Sequence, residues 1–286
     1  MRSAEKFTAA FAHHGEGPFW DSRGDRLLCC DVFEGHVVEI ASDGAIHRHD
    51  LEQRAVTVVR HRAREGFIVA TDKELIAVDN NFGRAEPVAT LVNDSDVRLN
   101  DGGCDPFGNF VVGSMRYDEK SRGGAVYKVA PGGKSRPVIG GVTVSNGVQW
   151  SADGSRVFYI DSPTQWVDTF DVDPHSGDWL RRHKHISLEE AEGVPDGMAI
   201  DDEDGLWIAM WGGSSVRHYD RHGQLIEIIS VPGVTQVSSC AFGGERRRTL
   251  FITTSRKDLV ADEPNAGAVF CIETSCSGAL LAEYSG

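Results

Sequence analysis

One motif recurs along this 286-residue chain and restricts its fold more than any other feature. It reads polar residue, Gly, short apolar strand, Asp/Gly turn, second apolar strand. Clear copies begin at Glu16-Gly17, Asp101-Gly102, Asn146-Gly147 and Asp196-Gly197, and fainter ones near Val56 and at Ser239-Cys240. With the Val56 copy placed in the long first gap, the copies recur every ~45 residues, a blade-length period. The alternation in Arg156-Val-Phe-Tyr-Ile and Gly205-Leu-Trp-Ile-Ala is strand periodicity and excludes helical repeats of similar length. Further strands are legible at Ala125-Val-Tyr-Lys-Val, Trp166-Val-Asp-Thr-Phe-Asp-Val and Ser215-Val-Arg-His-Tyr-Asp, and the one helix candidate is Leu188-Glu-Glu-Ala-Glu. Several short strands per repeat are the signature of a β-propeller blade. Six copies therefore predict an all-β, six-bladed propeller with four-stranded blades, a single domain over residues 1–286. Residues around Phe7–Phe11 are expected to pair with the last blade, because closing the ring removes an exposed sheet edge.

The first strand of each blade lines the central channel, so residues at one register point of different blades face the same volume. Here that point holds Glu16, Asp101, Asn146 and Asp196, with Asn100 adjoining. Any single Asp-Gly or Asn-Gly reads as a turn. Glu16-Gly17 does not, since Glu has no special turn chemistry, and the recurrence in four repeats points to a shared site. Unpaired carboxylates crowded on an axis cost several kcal/mol each to desolvate, on the order of the usual buried-charge penalty. A divalent cation with hard oxygen ligands relieves that conflict.

Other chemistries are excluded or left without support. The chain carries 43 acidic against 29 basic side chains, a formal charge of −14, with no clustered Lys/Arg block. That balance argues against nucleic-acid and anionic-membrane partners. Arg246-Arg247-Arg248 lies between two apparent strands and reads as a hairpin tip. No apolar run approaches the ~20 residues of a membrane span, and the first residues do not resemble a secretion signal, so a cytoplasmic location is expected. The six cysteines form no C-x-x-C pair and read as small core residues in a reducing compartment. Gly212-Gly213-Ser214-Ser215-Val216 fails the nucleophile-elbow pattern at its last position, and Lys128 stands where a P-loop ending in Lys134-Ser135 needs its first Gly. The histidines, including His13-His14, lie outside the shared register and have no H-E-x-x-H context.

Gly15-Glu16-Gly17-Pro18, Arg98-Leu-Asn100-Asp101-Gly102, Ser145-Asn146-Gly147, Pro195-Asp196-Gly197-Met198 and Ser239-Cys-Ala-Phe-Gly-Gly244 together resemble the senescence-marker-protein-30/gluconolactonase family. The likeness runs from about residue 14 to Asn265-Ala-Gly-Ala-Val-Phe270. It implies a six-bladed propeller that hydrolyses a small-molecule sugar lactone with one divalent metal. By that resemblance Glu16, Asn146 and Asp196 are metal ligands, and Asn100 lies beside the metal or ligates it. Arg98 and Asn100 match residues that hold substrate oxygens, and Asp118 falls where some members carry a substrate-binding Glu.

The implied chemistry agrees with the oxygen-rich register. All-oxygen ligands favour Ca²⁺ first, and three or four protein oxygens also admit Mg²⁺, Mn²⁺, Zn²⁺ or Fe²⁺. Asp196 is the leading general base and Asp101 the alternative. Trp166 and Trp211 are candidate sugar-stacking faces. Should Arg98, Arg116 and Arg122 all reach the mouth, an anionic lactone is expected. Two other uses of such a site stand beside lactone hydrolysis: phosphotriester hydrolysis and non-enzymatic calcium binding. An interaction propeller of the Trp-Asp repeat type is disfavoured, since only Trp20-Asp21 shows that dipeptide. The sequence leaves monomer and small homo-oligomer equally open.

Overall fold

The computed structural model describes residues 2–120 and 122–286. Six sheets follow one another along the chain, each built on four consecutive antiparallel strands or three plus an N-terminal one. Their first strands are Gly15–Asp21, Val56–His61, Val97–Cys104, Ser145–Trp150, Val194–Ile200 and Val237–Gly243. Each of these six packs on the next, and the sixth packs on the first, so they close a circle around an axis. This is the six-bladed propeller expected from the repeat.

Closure uses the N-terminal segment as a strand of the last blade: Glu5 pairs with Cys271 and Lys6 with Phe270, antiparallel. The amides of Phe7 and Thr8 continue the pairing to the Val269 carbonyl at 2.9 and 3.1 Å. Just upstream, Arg2–Ser3 adds a short parallel strand to Ile229–Ser230 of blade five.

The blades are apolar on both faces because each face is covered by a neighbour. Six buried clusters result, one per blade interface. Phe19, Leu28, Val59 and Val69 fill the first-to-second interface, and Leu27, Val38, Phe251 and Val269 seal the sixth against the first. Truncating a large side chain in such a cluster costs about 3–5 kcal/mol. Leu188-Glu-Glu-Ala-Glu forms no helix: the Leu188 amide caps the Gln165 carbonyl at 2.8 Å and the chain turns at once. Five residues cannot repay helix nucleation unless packing supports every turn. Among the described residues the only helical elements are 3₁₀ turns at Val32–Glu34, Ser162–Thr164 and Glu245–Arg247, and no helix is long and apolar enough to cross a membrane.

All six first strands run from the same end of the channel to the other. The end where they begin is open and is called the mouth below. At the far end the C-terminal segment crosses the ring: Asp201 bridges to Gly278, and Arg62 to Tyr284. Tyr284 is buried between blades two and three, with its hydroxyl donating to the Ala130 carbonyl at 2.9 Å.

Candidate metal and substrate site

Every first strand carries a β-bulge against its second strand, at the same height in the ring. The shifts fall between Glu16 and Phe19, Val56 and Val58, Leu99 and Gly102, Asn146 and Val148, Pro195 and Met198, and Val237 and Ser239. A bulge re-aims the side chain beside it. In four blades the bulges aim Glu16, Asn100, Asn146 and Asp196 at one cavity. The glycine of the motif lets the strands approach there. Gly17 has φ of 55°, and a Cβ on it would lie 2.6 Å from the Thr57 carbonyl oxygen. A Cβ on Gly197 would lie 2.1 Å from Ser239 Oγ on the neighbouring strand.

The result is a cavity of about 140 Å³ at the mouth, with Glu16, Arg98, Asn100, Asn146 and Asp196 among its walls. Asn146 is fixed from both sides. Its Nδ2 donates to Ser162 Oγ at 2.7 Å, and its Oδ1 accepts from Asn100 Nδ2 at 2.8 Å. Asn100 also donates to the Ser145 carbonyl at 2.8 Å and accepts from Arg98 Nη1. Arg98 is buried, donates to the Leu99 carbonyl at 3.0 Å and lies 5.5 Å above the Phe33 ring. One Glu16 oxygen accepts from the Gly17 amide at 3.0 Å. The Asp196 carboxylate is buried and receives no hydrogen bond from the described residues.

Those two carboxylates are in electrostatic conflict. Burial, and then the Asp101 charge, pushes the Glu16 carboxyl up to about 8. Burial, and then the Glu16 and Asp101 charges, raises Asp196 well above the ordinary carboxylate range, with Arg98 opposing. A buried carboxylate without a donor beside a second carboxylate is what a divalent cation stabilises. The donors fit such an ion: two carboxylates and the Asn146 amide oxygen, all hard. Among the described residues no three Asp, Glu, His or Cys side chains are grouped to hold a metal.

The sequence profile of the SMP-30/Gluconolactonase/LRE-like region matches residues 14–256. The chain belongs to that family. It is 29% identical over 278 residues to the putative sugar lactone lactonase YvrE of Bacillus subtilis, covering 95% of each chain. It is 30% identical over 282 residues to regucalcin of Homo sapiens, covering 95% of this chain and 94% of that one. Among solved structures, a calcium-binding regucalcin from Agrobacterium tumefaciens superposes with TM-score 0.93 at 24% identity, covering 100% of this chain and 98% of that one. A gluconolactonase from Xanthomonas campestris gives 0.73 at 20% identity, covering 93% and 87%. At those identities the structures speak for the shared fold.

Within this family framework, the structure brings Glu16, Arg98, Asn100, Asn146 and Asp196 together and sets two other candidates apart. Asn100 and Asp101 both occupy the blade-three bulge, and only Asn100 faces the mouth cavity. Asp101 lines a separate, deeper cavity with Arg60 and Gln149, and its Oδ1 accepts from the Gly102 amide at 2.7 Å. Asp118 sits outside the cavity, held by Arg116 Nε at 3.0 Å; the next residue, Glu119, lines the wall. Of the three arginines considered for an anionic substrate, Arg98 alone lines the mouth. Trp211 lines it as well, whereas Trp166 lies under the Lys184 ammonium at 4.0 Å.

Three wall residues carry no repeat signature. His14 is buried, with Nδ1 2.8 Å from Ser255 Oγ and its ring stacked 5.3 Å from Phe33. Burial, then the Arg98 and Lys257 charges, holds its imidazole well below the ordinary histidine range, so it is neutral near pH 7. Glu119 and Lys257 come from loops. The available signal was positional for His14 alone, two residues before Glu16 on the same side of the strand.

Proposed function

We propose that this chain is a sugar lactonase that opens a monosaccharide-sized aldonolactone to the aldonic acid with the help of one divalent cation. The observation that carries the reading is the convergence of Glu16, Asn146 and Asp196 from three blades on one cavity shared with Arg98 and Asn100. A volume of about 140 Å³ matches one six-membered ring, the scale at which an engineered cavity of ~150 Å³ holds benzene.

Glu16, Asn146 and Asp196 are the residues that hold the cation, with Ca²⁺ the first choice for an all-oxygen set. When bound, the ion supplies Lewis-acid activation of the ester carbonyl and of water. Asn100 positions Asn146 through its amide and, with the guanidinium of Arg98, presents donors to the hydroxyl and carbonyl oxygens of the substrate. Asp196 takes the proton of the attacking water, being the candidate base that lines the mouth while Asp101 lines a separate cavity. The water oxygen bonds to the carbonyl carbon, the ring C–O bond breaks, and the ring oxygen leaves as a hydroxyl with the proton from Asp196. The Trp211 ring supplies an apolar face to the cavity beside these polar groups.

The substrate is a neutral polyol lactone. Arg116 is paired with Asp118 and Asp96, and Lys257 with Glu119 and Asp258, so neither is free for an anionic substituent, and Arg98 serves the substrate's hydroxyl and carbonyl oxygens.

A pH-stat assay of aldonolactones and a phosphotriester, on protein stripped with chelator and reloaded with each cation, tests the reading. Metal-restored turnover of aldonolactones exceeding that of the phosphotriester is expected. Metal binding with no turnover of any lactone leaves a calcium-binding protein and removes the lactonase.

A further inference from the structure

Blades three and six face each other across the ring, and one ion pair joins them over the mouth. Glu119 belongs to the turn after the second strand of blade three, Phe110–Arg116, and Lys257 to the loop after the second of blade six, Thr249–Thr254. Lys257 Nζ lies 2.8 Å from Glu119 Oε1, and both residues are cavity walls. The ammonium also sits 5.7 Å from the Trp211 ring centroid, a cation–π distance, and contacts the Asp258 carboxylate.

Both ends of this bar are set in place by their backbones. Glu119 has φ of 55°, with its amide donating to the Arg116 carbonyl at 3.1 Å. On the other side, the Lys257 amide donates to Ser255 Oγ at 2.9 Å and the Arg256 amide to the His13 carbonyl at 2.8 Å. The backbones at both ends are thus held beside the cavity without strand pairing, while the side chains that meet there can part. The cavity they wall, about 140 Å³, has room for one sugar ring, and a second ring attached to the first extends out towards the pair.

We propose that Lys257 is a specificity-determining residue: bridged to Glu119, it bars the mouth to lactones larger than one sugar. This inference rests on the lactonase reading for its substrate class. The side chains are partly exposed, so the bar opens for entry and exit at little cost. A ligand that keeps it open loses both the ion pair and the cation–π contact for as long as it is bound.

The test compares a monosaccharide with a disaccharide aldonolactone in the metal-loaded protein. It is paired with calorimetric binding of the corresponding aldonic acids, which needs no turnover. Lys257→Ala is expected to raise the disaccharide-to-monosaccharide ratio, in kcat/KM and in affinity, by about fivefold to tenfold. The exchanged pair Glu119→Lys with Lys257→Glu is expected to bring the ratio back towards wild type. An unchanged ratio in Lys257→Ala overturns the proposal, as does an exchanged pair no closer to wild type than the single variant. A shift in affinities without turnover of any lactone leaves the bar standing and removes the lactonase. Turnover with an unmoved ratio does the reverse. Wild-type protein that binds both acids equally, or neither, overturns the bar.

Discussion

Asp196 and Asp201 lie five residues apart at opposite ends of one channel-lining passage, and their surroundings are opposite. Asp201, past the far end of the strand, accepts from the Gly205 amide at 2.7 Å, the Glu203 amide at 3.0 Å and Trp207 Nε1 at 2.9 Å, and pairs with His218 at 3.2 Å. Burial alone would raise its carboxyl, but those partners outweigh burial and bring it down to about 2. Asp196, at the mouth, has no such partner and is driven the other way. The same side chain is thus a satisfied structural strut at one end and an unsatisfied acceptor at the other. Under the proposed function, the carboxylate left without hydrogen bonds is the one that acts, while the far end is filled and crossed by the C-terminal segment.

Removing each aspartate separates the two roles. Asp196→Ala is expected to abolish cation binding in calorimetry and to lower lactone turnover by a factor on the order of 10³ or more, the scale of a lost acid–base group. Its metal-free form should melt no lower than the parent, because the variant removes a buried carboxyl that has no hydrogen-bond donor and sits beside Glu16. A clear loss of stability, or intact cation binding, would break the contrast. Asp201→Asn should behave in the opposite sense, with turnover within about twofold of wild type. Unfolding free energy should fall by about 2–4 kcal/mol, as expected when several buried donors lose a charged acceptor. Denaturant titration followed by a lactone assay reads both quantities on one sample.

The two shifts also predict how stability follows pH. Glu16 is raised in the folded state from 4.5 to about 8, so the folded protein holds that proton more tightly than the unfolded chain. Its contribution is complete below about pH 4.5 and is lost as pH rises towards 8. The metal-free protein should accordingly lose melting temperature from pH 5 to 8. Added cation should restore more of it at pH 8 than at pH 5, since binding displaces protons. Asp201 gives the opposite limb: its contribution is present above about pH 4 and is lost as pH falls towards 2. A metal-free protein whose melting temperature is flat from pH 5 to 8 would contradict the buried conflict at the mouth.

The legible parts of this molecule are those that repeat. Strand periodicity and the recurring polar-Gly pair specify six blades, because each blade must bury both faces and bring its first strand close to its neighbours. Glu16, Asn146 and Asp196 were readable as a group for the same reason. Asn100 and Asp101 were not separable: two polar residues in a row share one bulge, and which of them faces the mouth is decided by the bulge and not by composition. Glu119 and Lys257 lie in the second-to-third-strand connections of blades three and six, which are longer than those of the other blades, so nothing in the repeat points to them. Leu188-Glu-Glu-Ala-Glu has helical composition but too few residues to act on it.

The smallest effect is expected where sequence position and spatial position part company by one residue. Asp118 and Glu119 share a turn, but the left-handed backbone of Glu119 directs the two side chains differently. Asp118 is drawn back to Arg116, whose hydrogen bond holds its carboxyl below the usual carboxylate range, and to Lys120 at 3.2 Å. These are solvent-accessible pairs that screening weakens, so Asp118→Asn should change kcat/KM by no more than about twofold, within what exposed ion pairs contribute. The residual change should shrink further at raised salt. A drop of tenfold or more in KM-dependent turnover would place Asp118 on the substrate after all. The turn would then have to rearrange when the lactone binds, releasing Arg116 and exchanging the positions of the two acidic side chains at the cavity wall.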